Sequence, residues 1–205
     1  MNVIPEQVRV LKRWLNLADS DQYFKDLTEE TRKGLSVQLK YGHGKPYRDG
    51  GHRMGRWGDE GVTYSYKDTV KTVSSWTPAL RRLRNMVEAD LLWMPNCGVV
   101  NVYGPIGSLY PHRDGLYIPQ LGDKPRIVSV SFGAARTMTF HPLDVKGKRL
   151  KEGLVDVRLE HGDLMIMEGD CDSKWHHSIA EEPESTGVRL SVTFRKHSTS
   201  ERTSL

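Results

Sequence analysis

The second half of the chain consists of short apolar runs separated by glycine, proline and aspartate. Six such runs follow Pro95, each four to seven residues long: 98–103, 126–132, 137–140, 155–159, 164–167 and 188–194. Runs of this length that are rich in branched and aromatic residues and bounded by turn formers are typical of β-strands. Repeated short strands favour a sandwich or jelly roll, in which a pocket lies between two sheets.

The N-terminal segment has a helical pattern instead. Apolar residues recur there at three- and four-residue intervals between charged positions: Val8, Leu11, Trp14 and Leu15. This spacing predicts an amphipathic helix, and Asp19 or Ser20 could begin a second short one. We therefore expect two helices that pack on the rest of the fold.

A longer helical pattern begins at Thr77-Pro78. Threonine suits the capping position, and proline suits the first helical position because its missing N–H would have no partner there. One stripe of this helix is apolar: Leu80, Leu83, Val87 and Leu91. The arginines off this stripe are expected on a solvated helix face rather than in a nucleic-acid patch: Arg81, Arg82 and Arg84.

Charge and cysteine usage narrow the environment and the partners. The 205 residues include 30 basic and 26 acidic ones, which give a formal net charge of +4 and a pI near 9.0. This balance permits an anionic partner without requiring one. Cys97 and Cys171 do not make a disulfide framework, and the chain has neither a signal-peptide pattern nor an apolar run of about 20 residues. We expect a soluble, intracellular protein, in the cytoplasm or nucleus if eukaryotic, without a membrane partner.

One spacing suggests a metal site. His112-Arg-Asp114 is followed, after 62 residues, by His177. Two imidazoles and one carboxylate can occupy one face of an octahedral metal and leave the other positions open. Residues i and i+2 of a strand point to the same side, so His112 and Asp114 can both reach one ion. Alone, His-x-Asp is weak evidence, because a surface pair of these residues is common.

Two arginines follow in the last apolar run. Strand alternation places four residues on one side of this run, towards the expected pocket: Arg189, Ser191, Thr193 and Arg195. A buried arginine is unusual without a partner, and its planar guanidinium fits a carboxylate through two parallel hydrogen bonds. Arg189 is therefore a candidate acid-binding residue beside the metal, with an exposed basic pair on an edge strand as the alternative.

Further motifs accompany these residues. They are Trp57-Gly-Asp-Glu-Gly-Val-Thr-Tyr-Ser-Tyr66, Asn101-Val-Tyr103, Ser129-Val-Ser-Phe-Gly133, His161-Gly-Asp-Leu164, Trp175-His-His-Ser178 and Arg189-Leu-Ser-Val-Thr-Phe-Arg195. In this order, together with His112-Arg-Asp114, they resemble the AlkB family of iron(II)/2-oxoglutarate dioxygenases, especially its nucleic acid repair branch. The resemblance covers about residues 52–197, and the preceding residues match only loosely.

The resemblance implies a mainly β fold with flanking helices. A double-stranded β-helix of the jelly-roll type would extend over about 95–197, N-terminal helices would support one sheet, and a substrate lid would extend over about 40–70. We accordingly predict a single dioxygenase domain over 1–205. It comprises N-terminal helices and lid over about 1–94, the catalytic core over about 95–197 and a tail over 198–205.

The resemblance also assigns the site residues. Iron(II) would be held by His112, Asp114 and His177, because the family's Trp-x-His-x-aliphatic pattern selects His177 and leaves His176 exposed or outside the set of ligands. The residues implied at the cosubstrate 2-oxoglutarate are Asn101, Tyr103, Arg189 and Ser191. Ser191 replaces the asparagine that is common in the family. Arg195 is implied as a catalytic residue nearer to the metal and the substrate.

The implied reaction consumes dioxygen and 2-oxoglutarate, hydroxylates a C–H bond and releases succinate and carbon dioxide. Where the carbon belongs to an N-alkyl group, an aldehyde leaves and the base is restored. DNA or RNA is the implied partner, and no obligate protein partner is evident. One alternative is the same chemistry on a nucleotide, a nucleoside metabolite or a protein side chain. Another is a non-catalytic binding module, which would not need the triad.

Substrate contacts are implied in the lid and beside the metal motif. Trp57, Tyr64 and Tyr66 belong to a lid that covers an extruded base. Repair members often have an acidic residue two positions after His-x-Asp that recognises the base edge, whereas this chain has Leu116. The basic, glycine-rich stretch 40–53 is either a phosphate-contacting loop or a flexible surface loop.

Overall fold

The computed structural model describes the backbone of residues 4–42, 45–66, 69–117, 121, 124–184 and 187–198. Within these ranges, the side chains of residues 38–42, 45–50, 64–66, 69–71, 116 and 117 are not described. Most of the predicted tail, from residue 199 onward, lies outside the described residues.

The described part of the chain is mainly β. The strands are β1 (Val8–Leu11), β2 (Ser36–Gly42), β3 (Lys45–Gly58), β4 (Thr63–Tyr66), β5 (Thr69–Thr72), β6 (Ser74–Ser75), β7 (Cys97–Tyr103), β8 (Leu109–His112), β9 (Ile127–Gly133), β10 (Arg136–Pro142), β11 (Val155–Leu159), β12 (Leu164–Met167), β13 (Trp175–Ile179) and β14 (Arg189–Arg195). The helices are α1 (Leu17–Thr31), α2 (Pro78–Leu91), α3 (Asp114–Tyr117) and α4 (Cys171–Lys174), with a 3-10 turn at Arg32–Gly34. Among the described residues, no helix combines the length and the apolar character that a membrane span requires.

Two largely antiparallel sheets face each other. The larger has the strand order β1-β12-β9-β14-β7-β3-β2, with β6 beside β3, and the smaller has the order β11-β10-β13-β8. A buried apolar cluster between them draws side chains from both sheets, among them Tyr103, Ile127, Met165, Met138, Phe140 and Ile179. The predicted jelly-roll fold is confirmed, and six of its strands coincide with the apolar runs in the sequence.

The two longer helices cover the opposite face of the larger sheet. A second cluster is buried there between helix and sheet residues, including Leu27, Leu80, Leu83, Val130, Phe132 and Val192. Each fully buried side chain of this size contributes roughly 1.5–3 kcal/mol. Helix α2 begins as predicted, because the Thr77 hydroxyl accepts a hydrogen bond from the Leu80 N–H at 3.4 Å.

One arginine of α2 is not on a solvated face. Arg84 is 9% exposed, its Nε donates to the Pro95 carbonyl at 2.7 Å, and its guanidinium lies 3.5 Å from the Asp59 carboxylate. The predicted solvated position is therefore wrong for Arg84, because neighbouring loops supply acceptors for its N–H groups. Arg81 and Arg82 are exposed as expected.

The N-terminal segment forms a strand rather than the first predicted helix. Strand β1 pairs antiparallel with β12, with Val8 opposite Met167 and Leu11 opposite Leu164. The helical spacing of these apolar residues does not reflect a helix, because the residues pack into two different clusters. Val8 lies between the sheets, whereas Leu15 lies under the helices. The second predicted helix exists as α1, and its cap is Asn16, whose side chain accepts a hydrogen bond from the Asp19 N–H at 2.9 Å.

Much of the predicted lid is part of the larger sheet. Strand β3 pairs with β7 from His52 opposite Tyr103 to Gly58 opposite Cys97, and β2 pairs with β3. The described residues of the stretch 40–53 therefore form paired strands rather than the predicted loop, and contact of this stretch with phosphates stays a prediction. The sheet that carries the predicted core thus includes strands from before residue 95.

Candidate metal and cosubstrate site

Neighbouring strands of the smaller sheet bring two histidines together. In the antiparallel pairing of β8 and β13, His112 lies opposite His177, and their ring centroids are 4.3 Å apart. Asp114 follows as the first residue of α3. The prediction that His112 and Asp114 lie on one strand is therefore wrong. The turn after β8 brings the Asp114 carboxylate back to within 3.5 Å of His112 Nε2.

These three residues form a candidate metal centre. One potential ligand atom from each of His112, Asp114 and His177 lies within 4.8 Å of the others, and Asp114 and His177 are buried. The Nδ1 of His112 lies 2.8 Å from the Tyr110 carbonyl, which can only accept. Nδ1 therefore carries the proton, and Nε2 offers a lone pair to a metal. The donor set fits a divalent ion such as iron(II).

The surroundings keep two of the ligands in metal-binding protonation states. Burial alone would raise the pKa of Asp114, but the charge of Arg195, together with the contacts to His112 and His177, outweighs burial and holds this pKa well below its usual range. Arg195 donates to Asp114 Oδ2 from Nε at 2.9 Å and from Nη2 at 2.6 Å. Burial, assisted by His112, lowers the pKa of His177 to about 3. An ionised carboxylate and a neutral imidazole are the forms that bind a metal.

Asp172 holds the backbone of the same turn. Its Oδ1 accepts from the Asp114 N–H at 2.8 Å, and its Oδ2 accepts from the Gly115 N–H at 3.0 Å. Together, Arg195 fixes the carboxylate of Asp114 and Asp172 fixes its main chain. The sequence motifs predict Arg195 near the metal. They contain no signal for Asp172, because it lies 58 positions from Asp114 in the chain.

We expect Asp172→Asn to weaken metal binding about 10- to 100-fold, the usual cost of losing an outer contact to a ligand. An amide has one acceptor oxygen in place of the two that Asp172 uses, and its NH2 group cannot accept, so the turn that carries Asp114 loses one anchor. Titration of Mn(II) into the protein measures the effect. Asp170→Asn is the matched control, because Asp170 is paired with Lys174 at 2.6 Å instead. An unchanged Mn(II) affinity of Asp172→Asn would refute the anchoring role.

The residue before His177 in the sequence is also a histidine, and it lies outside the metal cluster. His176 is part-buried and lies opposite His141 in the pairing of β10 and β13, while the metal cluster contains His177. Burial lowers the pKa of His176 to about 4, and Arg149 and Arg113 lower it further. The sequence choice of His177 over His176 agrees with this geometry.

Strand β14 carries the candidate cosubstrate residues. Its pairing with β7 places Arg189 opposite Tyr103 and Ser191 opposite Asn101. Arg189 is 1% exposed and donates to Ser191 Oγ at 3.1 Å and to Ser131 Oγ at 3.0 Å, and its guanidinium carbon lies 5.4 Å from the centroid of the Tyr103 ring. The four predicted residues are thus brought together, with Ser131 as an addition.

The guanidinium of Arg189 is suited to an acidic ligand. Its Nε has no hydrogen-bond partner, and no ion pair among the described residues includes Arg189. A buried charge without a counter-ion is costly, and a carboxylate ligand would supply one. Arg136, which is also buried, is different: it donates to the carbonyls of Gly104, Gly107 and Ala180 and lies 3.7 Å from Glu182. The site therefore fits 2-oxoglutarate at Arg189.

A buried histidine that no sequence motif includes also contacts this region. His52 of β3 is 4% exposed, its Nε2 lies 3.0 Å from Asn101 Oδ1, and its ring stacks on Tyr103 with centroids 4.4 Å apart. No sequence signal marked it, because the contact depends on β3 joining the larger sheet.

Of the four predicted substrate residues, the structure describes the side chain of Trp57 alone. Trp57 is 3% exposed and lies in the apolar cluster under the helices, where it packs against Gly34 and Gly55. This position counts against a substrate contact, because the indole is enclosed by the fold's own side chains. The side chains of Tyr64, Tyr66 and Leu116 lie outside the described residues.

Comparisons with known proteins agree with this geometry. The model of the 2OG-Fe(II) oxygenase superfamily matches residues 7–195. DNA oxidative demethylase ALKBH2 of Mus musculus is 30% identical over 182 residues, which cover 87% of this chain and 75% of the relative. Alpha-ketoglutarate-dependent dioxygenase alkB homolog 3 of Homo sapiens is 31% identical over 180 residues, which cover 85% of this chain and 59% of the relative.

The chain belongs to the AlkB family of 2OG-Fe(II) oxygenases. Its fold is similar to the solved structure of OsALKBH1, with a TM-score of 0.61 and 19% identity over 95% of this chain and 100% of the other. As an AlkB-family oxygenase it is an enzyme that uses iron(II), 2-oxoglutarate and dioxygen. The cluster of His112, Asp114 and His177 is the candidate metal site for this chemistry.

Proposed function

We propose that this AlkB-family oxygenase removes N-alkyl groups from bases of DNA or RNA by oxidation. The observation that supports it most is the cluster of His112, Asp114 and His177, two of them buried, which Arg195 of β14 contacts while Arg189 lies on the same strand. Two relatives that match most of this chain carry the names DNA oxidative demethylase and alpha-ketoglutarate-dependent dioxygenase. Oxidation of an N-methyl carbon releases formaldehyde and restores the base.

The chain's own residues bind and orient the reactants. Iron(II), when bound, supplies the activation of dioxygen that a C–H bond requires. His112, Asp114 and His177 hold this ion, and Arg195 keeps the Asp114 carboxylate ionised and oriented. Arg189 pairs with the distal carboxylate of 2-oxoglutarate. Burial of Asp114, Arg189 and Arg195 excludes water from their charged groups, which strengthens each charge interaction.

Positive charge near the metal cluster supports an anionic substrate. Besides burial, the charges of Arg149 and Arg113 lower the pKa of His176, so both arginines lie near this neighbour of His177. Arg149 belongs to an exposed basic turn after β10, which also carries Lys146 and Lys148 and is closed by the Asp144 N–H donating to the Lys148 carbonyl at 2.8 Å. A cluster of this kind can contact phosphates of a nucleic acid backbone.

A substrate panel tests the proposal. The purified protein is incubated with iron(II), ascorbate, 2-oxoglutarate and each of three substrate classes: methylated oligonucleotides, methylated nucleosides and a lysine- and arginine-rich peptide. Mass spectrometry then follows loss of a methyl group or gain of oxygen. We expect demethylation of oligonucleotides. Oxidation of nucleosides or the peptide with the oligonucleotides untouched would instead establish the same chemistry on another substrate.

A substitution at Leu116 tests how the base is read. Leu116 occupies the sequence position where repair members often have an acid, and a nearby carboxylate favours a cationic base by roughly 1 kcal/mol. We expect Leu116→Glu to raise activity on 1-methyladenine relative to neutral 3-methylthymine by about fivefold. Leu116→Gln, which has similar size and no charge, is the control. An equal ratio in both variants would contradict a role for charge at this position.

A further inference from the structure

His52 joins the two residues of β7 that are assigned to the cosubstrate. Strand β3 places it opposite Tyr103, and the two rings are almost parallel, with an interplanar angle of 8°. Its Nε2 faces Asn101 Oδ1 at 3.0 Å. Burial lowers the pKa of His52, and His52 also lies close enough to Arg189 for this charge to lower it further. It therefore lies beside the metal and cosubstrate site without being a metal ligand.

The hydrogen-bonding capacities of the two side chains are complementary. An asparagine amide has an oxygen that only accepts and an NH2 group that only donates. A carboxylate ligand accepts from the NH2 group, so the oxygen of Asn101 must then face a different donor. Burial lowers the pKa of His52 to about 4, so its ring is neutral near pH 7 and carries a single N–H. With that proton on Nε2, the ring supplies the required donor.

We propose that His52 is a positioning residue for the cosubstrate: its Nε2–H fixes the Asn101 amide with the NH2 group available to a carboxylate, and its ring supports Tyr103. In the reverse amide orientation, the Asn101 oxygen would face the carboxylate and the two acceptors would repel. The stacked ring limits rotation of Tyr103, whose ring also lies beside the Arg189 guanidinium. The inference rests on the proposed assignment of Asn101 and Tyr103 to 2-oxoglutarate.

Two variants separate the donor from the ring. His52→Phe keeps a flat ring against Tyr103 and removes the donor, whereas His52→Gln keeps an N–H donor and removes the aromatic ring. Calorimetry of Mn(II)-loaded protein with 2-oxoglutarate gives the dissociation constant without turnover. We expect His52→Phe to raise this constant about five- to tenfold, the usual effect of one lost hydrogen bond. His52→Gln should stay within about threefold, and the Mn(II) affinity should be unchanged in both variants.

Imidazole 15N NMR of the unsubstituted protein with Zn(II) and 2-oxoglutarate provides a measurement that does not depend on how the variants fold. We expect the His52 signals of the Nε2–H tautomer. A proton on Nδ1, or unchanged 2-oxoglutarate binding by His52→Phe, would overturn the proposal. If the unsubstituted protein failed to bind 2-oxoglutarate, both this inference and the proposed function would fail. If it bound 2-oxoglutarate but left methylated oligonucleotides untouched, only the proposed substrate would be lost.

Discussion

Replacement of His177 by alanine is expected to abolish turnover and to weaken Mn(II) binding by more than about 100-fold. Even outer contacts to metal ligands cost about 10- to 100-fold in affinity, and His177 supplies one of three candidate ligand atoms. Removing it leaves one imidazole and one carboxylate, which cannot complete the facial set of three. Mn(II) titration and succinate formation measure the two effects.

His176→Ala is the matched control for this prediction. His176 is the adjacent residue of the same strand, and its side chain lies outside the metal cluster. This variant should keep its Mn(II) affinity within about threefold, since it alters no ligand. Loss of the metal in His176→Ala with retention in His177→Ala would reverse the assignment.

The fold was predictable where one local pattern governs a whole element. The runs that became β9 and β14 alternate apolar and polar residues over most of their length, so the two-residue period of a strand is visible in the sequence. Helix α2 had both a cap and an apolar stripe. The prediction of a helix at Val8–Leu11 was wrong, because this strand depends on pairing with β12, more than 150 residues away. No local period in the sequence encodes such a distant pairing.

Strand alternation predicted the part of the candidate site that lies on β14, whereas the metal motif was found from its spacing and from the ordered motifs, because Asp114 lies outside the strand of His112. Arg189, Ser191 and Arg195 lie on one strand, so their common direction follows from a two-residue period. His52 and Asp172 could not be found in this way. Each acts through a partner on another element, Asn101 for His52 and the main chain of Asp114 for Asp172, and these contacts exist only once the sheets and turns have assembled.

Strand β14 physically connects the metal and the cosubstrate regions. Its Arg195 contacts the ligand Asp114, while its Arg189 lies six residues away beside Tyr103. Both arginines are buried within a strand that is paired on both sides, by β7 and by β9. Such double pairing restricts strand movement, so the backbone positions from which the two arginine side chains extend keep a fixed separation. The spacing between the residue that contacts Asp114 and the candidate acid-binding residue is therefore set by the backbone of the sheet.

Arg189→Met is expected to raise the dissociation constant for 2-oxoglutarate at least about 30-fold. Methionine keeps much of the buried volume and removes the charge that pairs with a carboxylate, and loss of such a charge-assisted pair costs about 2 kcal/mol or more. Calorimetry of the Mn(II)-loaded protein measures the change. Arg158→Met is the control, because Arg158 is exposed and pairs with Glu182 at 2.7 Å instead.

The same variant gives a second, independent result. The guanidinium of Arg189 is buried with a hydroxyl partner at Ser191 and another at Ser131, and burial lowers its pKa, which reflects the cost of an enclosed charge. Without cosubstrate, Arg189→Met should therefore be about as stable as the original protein. The rise in melting temperature that 2-oxoglutarate produces in the original should disappear. A variant that binds 2-oxoglutarate normally would show that another residue holds the distal carboxylate, and a large loss of stability without cosubstrate would show that Arg189 mainly supports the fold.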